Sequence, residues 1–149
     1  MTWRILYRGS LNSCNYSCQY CPFAKKDANR KSLEKDADEL VRFVNWVKQQ
    51  KQSIRLMFTP WGEALIWPAY QKAIVNLSRM SHVEAVTIQT NLSGKLDWIS
   101  RGNSRKMFLW ASYHPDEISL DSFVASCFKV VSHGAQISVG MVGFSEQLS

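Results

Sequence analysis

Five short runs of strand-forming residues alternate with helical patterns along the chain, and this alternation restricts the fold more than any other feature of the sequence. The runs are WRILYR at 3–8, IRLMFT at 54–59, AVTIQ at 85–89, MFLWAS at 107–112 and QISVGMV at 136–142. Their β-branched, aromatic and apolar residues suit a pleated, half-buried surface. Between them, apolar residues recur at helical spacing. Leu33, Ala37, Leu40, Val41, Val44 and Val47 mark one face of a first helix. Ser32 is its expected N-cap, and Glu34, Asp36 and Asp38 suit the positive end of its dipole. Pro68 opens a second helix with Tyr70, Ala73, Ile74, Leu77 and Met80 on its inner face. A weak, short helix is expected near 96–100. A last helix is expected to bury Leu120, Val124, Cys127, Phe128 and Val131, and to stop at Gly134. Strands alternating with helices predict right-handed βαβ units and a parallel sheet. With 149 residues and no linker, repeat or low-complexity segment, the chain is expected to form one domain over 1–149.

In a parallel α/β sheet, ligands bind at the C-terminal ends of the strands. The residues with chemical capability gather at those ends. A polar loop from Gly9 to Lys31 follows the first strand and contains Cys14, Cys18 and Cys21 in a C-x3-C-x2-C spacing. Gly62 and Glu63 follow the second strand, Asn91 the third, and Ser112 and His114 the fourth. Loops this long in compact domains are usually functional.

Three thiols within eight residues can converge on one point, and soft thiolates suit zinc or iron–sulfur clusters. A structural zinc site takes four protein ligands, so Cys127, His82, His114 or His133 would have to supply the fourth. Cys127 falls on an apolar helix face and reads as a core residue. A cluster held by three cysteines would instead keep one iron open to an exogenous ligand.

The motif C-x3-C-x-aromatic-C on the loop after the first strand of an α/β chain resembles the radical S-adenosylmethionine (SAM) superfamily. That resemblance implies a partial (β/α) barrel, here with about five parallel strands of the usual six. It implies a [4Fe–4S] cluster on Cys14, Cys18 and Cys21, with SAM chelating the remaining iron. It further implies reductive cleavage of SAM to a 5′-deoxyadenosyl radical that abstracts hydrogen from a substrate. Tyr20 would lie near the adenine. Gly62 and Glu63 match the end of the family's Gly-Gly-Glu motif, with Trp61 in place of the first glycine, and Glu63 would meet the SAM ammonium. Ser112 is either placed for the ribose or a strand-end hydroxyl bonded to its own turn, and Asn91 is either a turn residue or a ligand contact. An external one-electron reductant, of flavodoxin or ferredoxin type, is the implied partner. No catalytic residue and no substrate follow from the motif.

Two departures accompany the resemblance. The family's Gly-x-Ile-x-Gly-x-x-Glu on the fifth strand is replaced at its Gly and Glu positions by Ala135, Val139 and Val142, leaving Val139 or Met141 to offer apolar contact. The sequence also stops after the fifth strand, so the domain is expected to be C-terminally incomplete, with an unpaired edge and uncovered apolar surface. His114 is a candidate proton donor or substrate contact, but reads first as a loop histidine before Pro115, and Trp61 and Trp67 read as aromatic cover.

Eighteen Lys and Arg against twelve Asp and Glu give a net charge of +6. Such an excess is compatible with nucleic acid, but no RNA- or DNA-binding motif accompanies it. A non-catalytic zinc- or RNA-binding module, or an inactive radical SAM fragment, is therefore the alternative. The N-terminal apolar run is interrupted by Arg4 and Arg8, and no run reaches the roughly 18 residues of a membrane span. A cytoplasmic location without membrane attachment is expected, where clustered cysteines serve metals more often than disulfides.

Overall fold

The computed structural model describes residues 1–23 and 29–143, so positions 24–28 of the cysteine loop lie outside the described residues. β1 (Thr2–Tyr7), β2 (Ser53–Phe58), β3 (Val83–Thr90), β4 (Met107–Tyr113) and β5 (Gln136–Met141) form one sheet. The strands lie in the order β1-β2-β3-β4-β5, and every neighbouring pair is parallel. The connecting helices are α1 (Arg30–Lys48), α2 (Pro68–Arg79) and α3 (Leu120–Ser132). A doubly wound sheet reverses its strand order; a strictly sequential order with right-handed crossovers winds one way and places its helices on one face. This is the architecture of a partial (β/α) barrel.

Strand alternation divides the sheet into two faces. Ile54, Leu56, Phe58, Val86, Ile88, Met107, Leu109 and Ala111 are all buried in the core shared with the helices. The opposite face carries Arg4, Leu6, Arg55 and Trp110, and both Leu6 and Trp110 are exposed. Tyr7, Phe43 and Phe58 pack as an aromatic cluster between β1, β2 and α1.

The helices differ from expectation in instructive ways. α1 starts earlier than predicted, because the Asn29 side chain accepts the Ser32 N–H at 2.9 Å; Asn29 is the cap. Val41, expected inside, is exposed, whereas Asp36, expected at the solvated helix end, is buried. The short segment near 96–100 is a 3₁₀ turn over Asp97–Arg101, followed by another at Ser104–Lys106.

α3 departs furthest. Phe123 and Val130 are its buried residues, and Cys127 packs half-buried against the core. Leu120, Val124, Phe128 and Val131 are exposed instead. The helix is apolar on two sides, and the sheet takes the Phe123 side because that side faces Tyr113 on β4 (ring centroids 5.2 Å apart). The other stripe combines with Val139 and Met141 of β5 to wall an apolar groove of about 410 Å³. Val139 and Met141 therefore point to the helix side and do not reach the mouth of the sheet; Val142 does.

Candidate functional site

The cysteine loop is seated by polar groups from several βα units. At its entry, Asp36 Oδ1 accepts the Leu11 N–H at 2.9 Å and the Tyr70 hydroxyl at 3.2 Å. Burial pushes the Asp36 carboxyl up, while these hydrogen bonds oppose the shift. Two residues farther on, the Ser13 carbonyl accepts the Glu63 N–H at 3.1 Å. Gly62 permits this approach, since a Cβ there would lie 1.7 Å from the Ser13 carbonyl oxygen. The Asn91 side chain donates to Asn15 Oδ1 at 3.2 Å and lies 3.9 Å from Cys14 Sγ. Glu117, in the loop after β4, accepts the Ser17 N–H.

These contacts bring Cys14, Cys18 and Cys21 to one cavity of about 420 Å³ at the C-terminal ends of the strands. Cys14 is exposed at the cavity; its Sγ accepts the Tyr16 N–H at 3.4 Å, and partial desolvation raises its thiol pKa. Cys18 is buried, and the Cys21 N–H closes a turn onto the Cys18 carbonyl at 3.2 Å. Tyr20, Gly62, Glu63, Asn91 and Ser112 line the same cavity, so all eight residues singled out in the sequence meet there. Trp61 is an exposed wall residue, with Phe23 stacked on it at 5.8 Å and the Arg8 guanidinium 6.0 Å from its ring centroid. Trp67 packs against the core.

Glu63 is only 3% exposed. Its Oε1 accepts the Leu65 N–H at 2.9 Å and the Thr90 hydroxyl at 2.8 Å; its Oε2 accepts the Asn91 N–H at 2.6 Å. The carboxylate thus ties the loop after β2 to the end of β3. Burial dominates its titration and raises the pKa, against the three donors.

Sequence reasoning missed Asp36, Thr90 and Glu117 as loop anchors and undervalued His114. His114 lies in the cavity wall with Nδ1 2.7 Å from the Tyr20 hydroxyl and 3.4 Å from Cys18 Sγ. Its ring is stacked on Tyr20 and meets the edge of Tyr16. Desolvation lowers its pKa. A strand-end histidine opposite a cysteine loop was the available clue.

The donor set fits an iron–sulfur cluster: three thiols, soft donors suited to iron, line one cavity on a loop that Gly62 lets pack closely through Ser13. Among the described residues, no three His, Cys, Asp or Glu side chains converge where a single metal ion would sit. Of the four residues considered as a further zinc ligand, only His114 reaches this cavity. His82 Nε2 is 2.9 Å from the Val47 carbonyl, His133 faces Asp97 at 3.9 Å, and Cys127 lines the groove beside α3.

A sequence profile of the radical SAM superfamily matches residues 10–107, from the start of the cysteine loop to the start of β4. The chain belongs to the radical SAM superfamily. Members of this superfamily share radical chemistry based on a [4Fe–4S] cluster and SAM. No curated protein and no solved structure matches the chain. Among the described residues of this radical SAM protein, no helix is long and apolar enough to cross a membrane.

Proposed function

We propose that this chain is a radical SAM enzyme whose Cys14, Cys18 and Cys21 hold a [4Fe–4S] cluster and whose cavity seats SAM beside it. The observation that carries this reading is that the three thiols line one cavity at the strand ends together with Tyr20, Gly62, Glu63, Asn91 and Ser112. A cluster held by Cys14, Cys18 and Cys21 would supply one-electron reductive cleavage of SAM, fed by an external flavodoxin- or ferredoxin-like donor, and with it the power to abstract hydrogen from a substrate.

The protein's own residues orient and enclose. Gly62 lets the loop after β2 close on Ser13 and so seats the cysteine loop, and Glu63 presents a carboxylate to the SAM ammonium. That cation would offset the desolvation that raises the Glu63 pKa. Asn91 and Ser112 offer polar contacts to the amino-acid and ribose parts, and Tyr20 flanks the adenine. The apolar groove of α3 and β5 favours one addition: a further βα unit of the same protein, an amphipathic helix followed by a parallel strand, covers it. Downstream coding sequence lacking that pattern would overturn the addition.

The enzyme reading is tested by anaerobic reconstitution. A brown protein with about four irons per chain is expected. With dithionite and SAM it should release 5′-deoxyadenosine, and Cys18→Ala should abolish that release. A colourless protein that binds stoichiometric zinc and no iron would overturn the reading.

A further inference from the structure

The turn after β4 reaches across to the cysteine loop with two side chains. Its backbone is closed by the Glu117 and Ile118 N–H groups, which donate to the His114 carbonyl at 3.0 and 3.2 Å. Glu117 accepts the Ser17 N–H, and one residue along the loop His114 Nδ1 stands 3.4 Å from Cys18 Sγ. The partners lie 100 and 96 residues apart in the sequence, so this register is a product of the fold. The imidazole is held from two further sides. Tyr20 stacks on it with an interplanar angle of 5°, and Tyr16 meets it at 78°. A ring fixed in this way holds Nδ1 within reach of both the Cys18 sulfur and the Tyr20 oxygen.

We propose that His114 is a positioning residue for the iron–sulfur centre, its Nδ1–H donating a hydrogen bond to the Cys18 sulfur. The inference rests on the proposed cluster. A ligating thiolate is an acceptor without a proton, so the nitrogen facing it carries the hydrogen and Nε2 is the bare one. The Tyr20 oxygen, 2.7 Å away, shares that N–H as a second acceptor. A donor on a cluster sulfur stabilises the more negative, reduced state, and hydrogen bonds to the sulfurs are among the terms that set cluster potentials. His114 thereby makes the cluster easier to reduce and holds Cys18 and Tyr20 in fixed relation.

The test compares reconstituted wild type, His114→Ala and His114→Asn without SAM. Iron content, thermal melting and the midpoint potential from an EPR-monitored redox titration are measured. An asparagine side-chain N–H occupies nearly the place of Nδ1–H. His114→Ala should shift the potential to a more negative value, and His114→Asn should return it towards wild type. If His114→Ala loads no iron while His114→Asn loads fully, the hydrogen bond is again what matters. Equal potentials in wild type and His114→Ala would overturn the proposal and leave the cluster reading intact. So would His114→Asn behaving as His114→Ala. A wild type that takes up no iron would remove both.

Discussion

Replacing Gly62 by alanine tests how the cysteine loop is seated. The substituted Cβ would lie 1.7 Å from the Ser13 carbonyl oxygen, 2.5 Å from its carbon and 2.9 Å from the Ser13 nitrogen. All three are backbone atoms, so no flexible side chain can swing away. Gly134 is the glycine with a left-handed φ, so the demand at Gly62 is for space, not for an unusual conformation. Reaching an ordinary contact requires the two segments to separate by roughly 1.5 Å. The Glu63 N–H to Ser13 carbonyl bond, now 3.1 Å, lies beside the overlap and would be stretched past breaking. The chain either bears the overlap or leaves buried polar groups unpaired, and the cheaper compromise costs about 2–4 kcal/mol. For a domain of this size that corresponds to a fall in melting temperature of roughly 4–16 °C. Cys14 follows Ser13 directly, so the displacement passes to a proposed ligand. The assay is thermal unfolding of the apo-protein together with iron content after reconstitution. Gly140→Ala is the control: its Cβ meets only Trp110 Nε1, at an ordinary 3.5 Å, and its stability should stay within about 0.5 kcal/mol. A Gly62→Ala protein that melts within about 2 °C of wild type, a change inside ordinary surface-mutation scatter, and takes up its full iron would refute the argument.

Other tests address titration and the helix faces. The Glu63 pKa is raised above its ordinary 4.5, so the folded apo-protein binds that proton more tightly than the unfolded chain. The associated stability is present below the ordinary value and is lost as pH rises through the folded one. The urea-unfolding difference between wild type and Glu63→Gln should therefore fall from pH 4.5 upward and then level off; a rise would contradict the assigned direction. Asp36 titrates in both proteins and cancels. On α3, Phe123 is 2% exposed and Phe128 is 70% exposed. Phe123→Ala should cost about 3–5 kcal/mol in denaturant unfolding. Phe128→Glu should stay within about 0.5 kcal/mol and reduce self-association of the 149-residue chain by light scattering, because it charges the open groove.

The strands and the mouth of the sheet were legible because they depend on local pattern. Runs such as 54–59 carry their own periodicity, and the chemistry follows them at strand ends. α3 was harder, since apolar residues surround much of it and spacing alone selected the stripe through Leu120, Val124 and Phe128. Which stripe is inside depends on Tyr113 and the sheet, which local spacing does not encode. The same holds for Ser32 and Asn29, where two adequate caps stand three residues apart and the backbone chooses. Polar anchors were the least legible. Asp36 looks like an ordinary acidic residue early in a helix, yet its partner Leu11 lies 25 residues back. Thr90 reads as a strand residue until its hydroxyl is seen on Glu63, 27 residues away.

The distribution of these anchors bears on what the described fold can support. Asp36 of α1 fixes the loop entry, Gly62 and Glu63 after β2 grip Ser13, Asn91 after β3 reaches Asn15, and His114 and Glu117 after β4 reach Cys18 and Ser17. Each of the first four βα units therefore contributes a separate hold on eight consecutive loop residues, Leu11 to Cys18. Val142, just after β5, adds to the cavity wall, but β5 supplies no polar hold among the described residues. Seating of the cysteine loop is thus independent of whatever covers the groove beside α3 and β5. Iron uptake should consequently follow the four-unit scaffold: it should be lost on disturbing the Gly62–Ser13 contact and unchanged by Phe128→Glu in the groove.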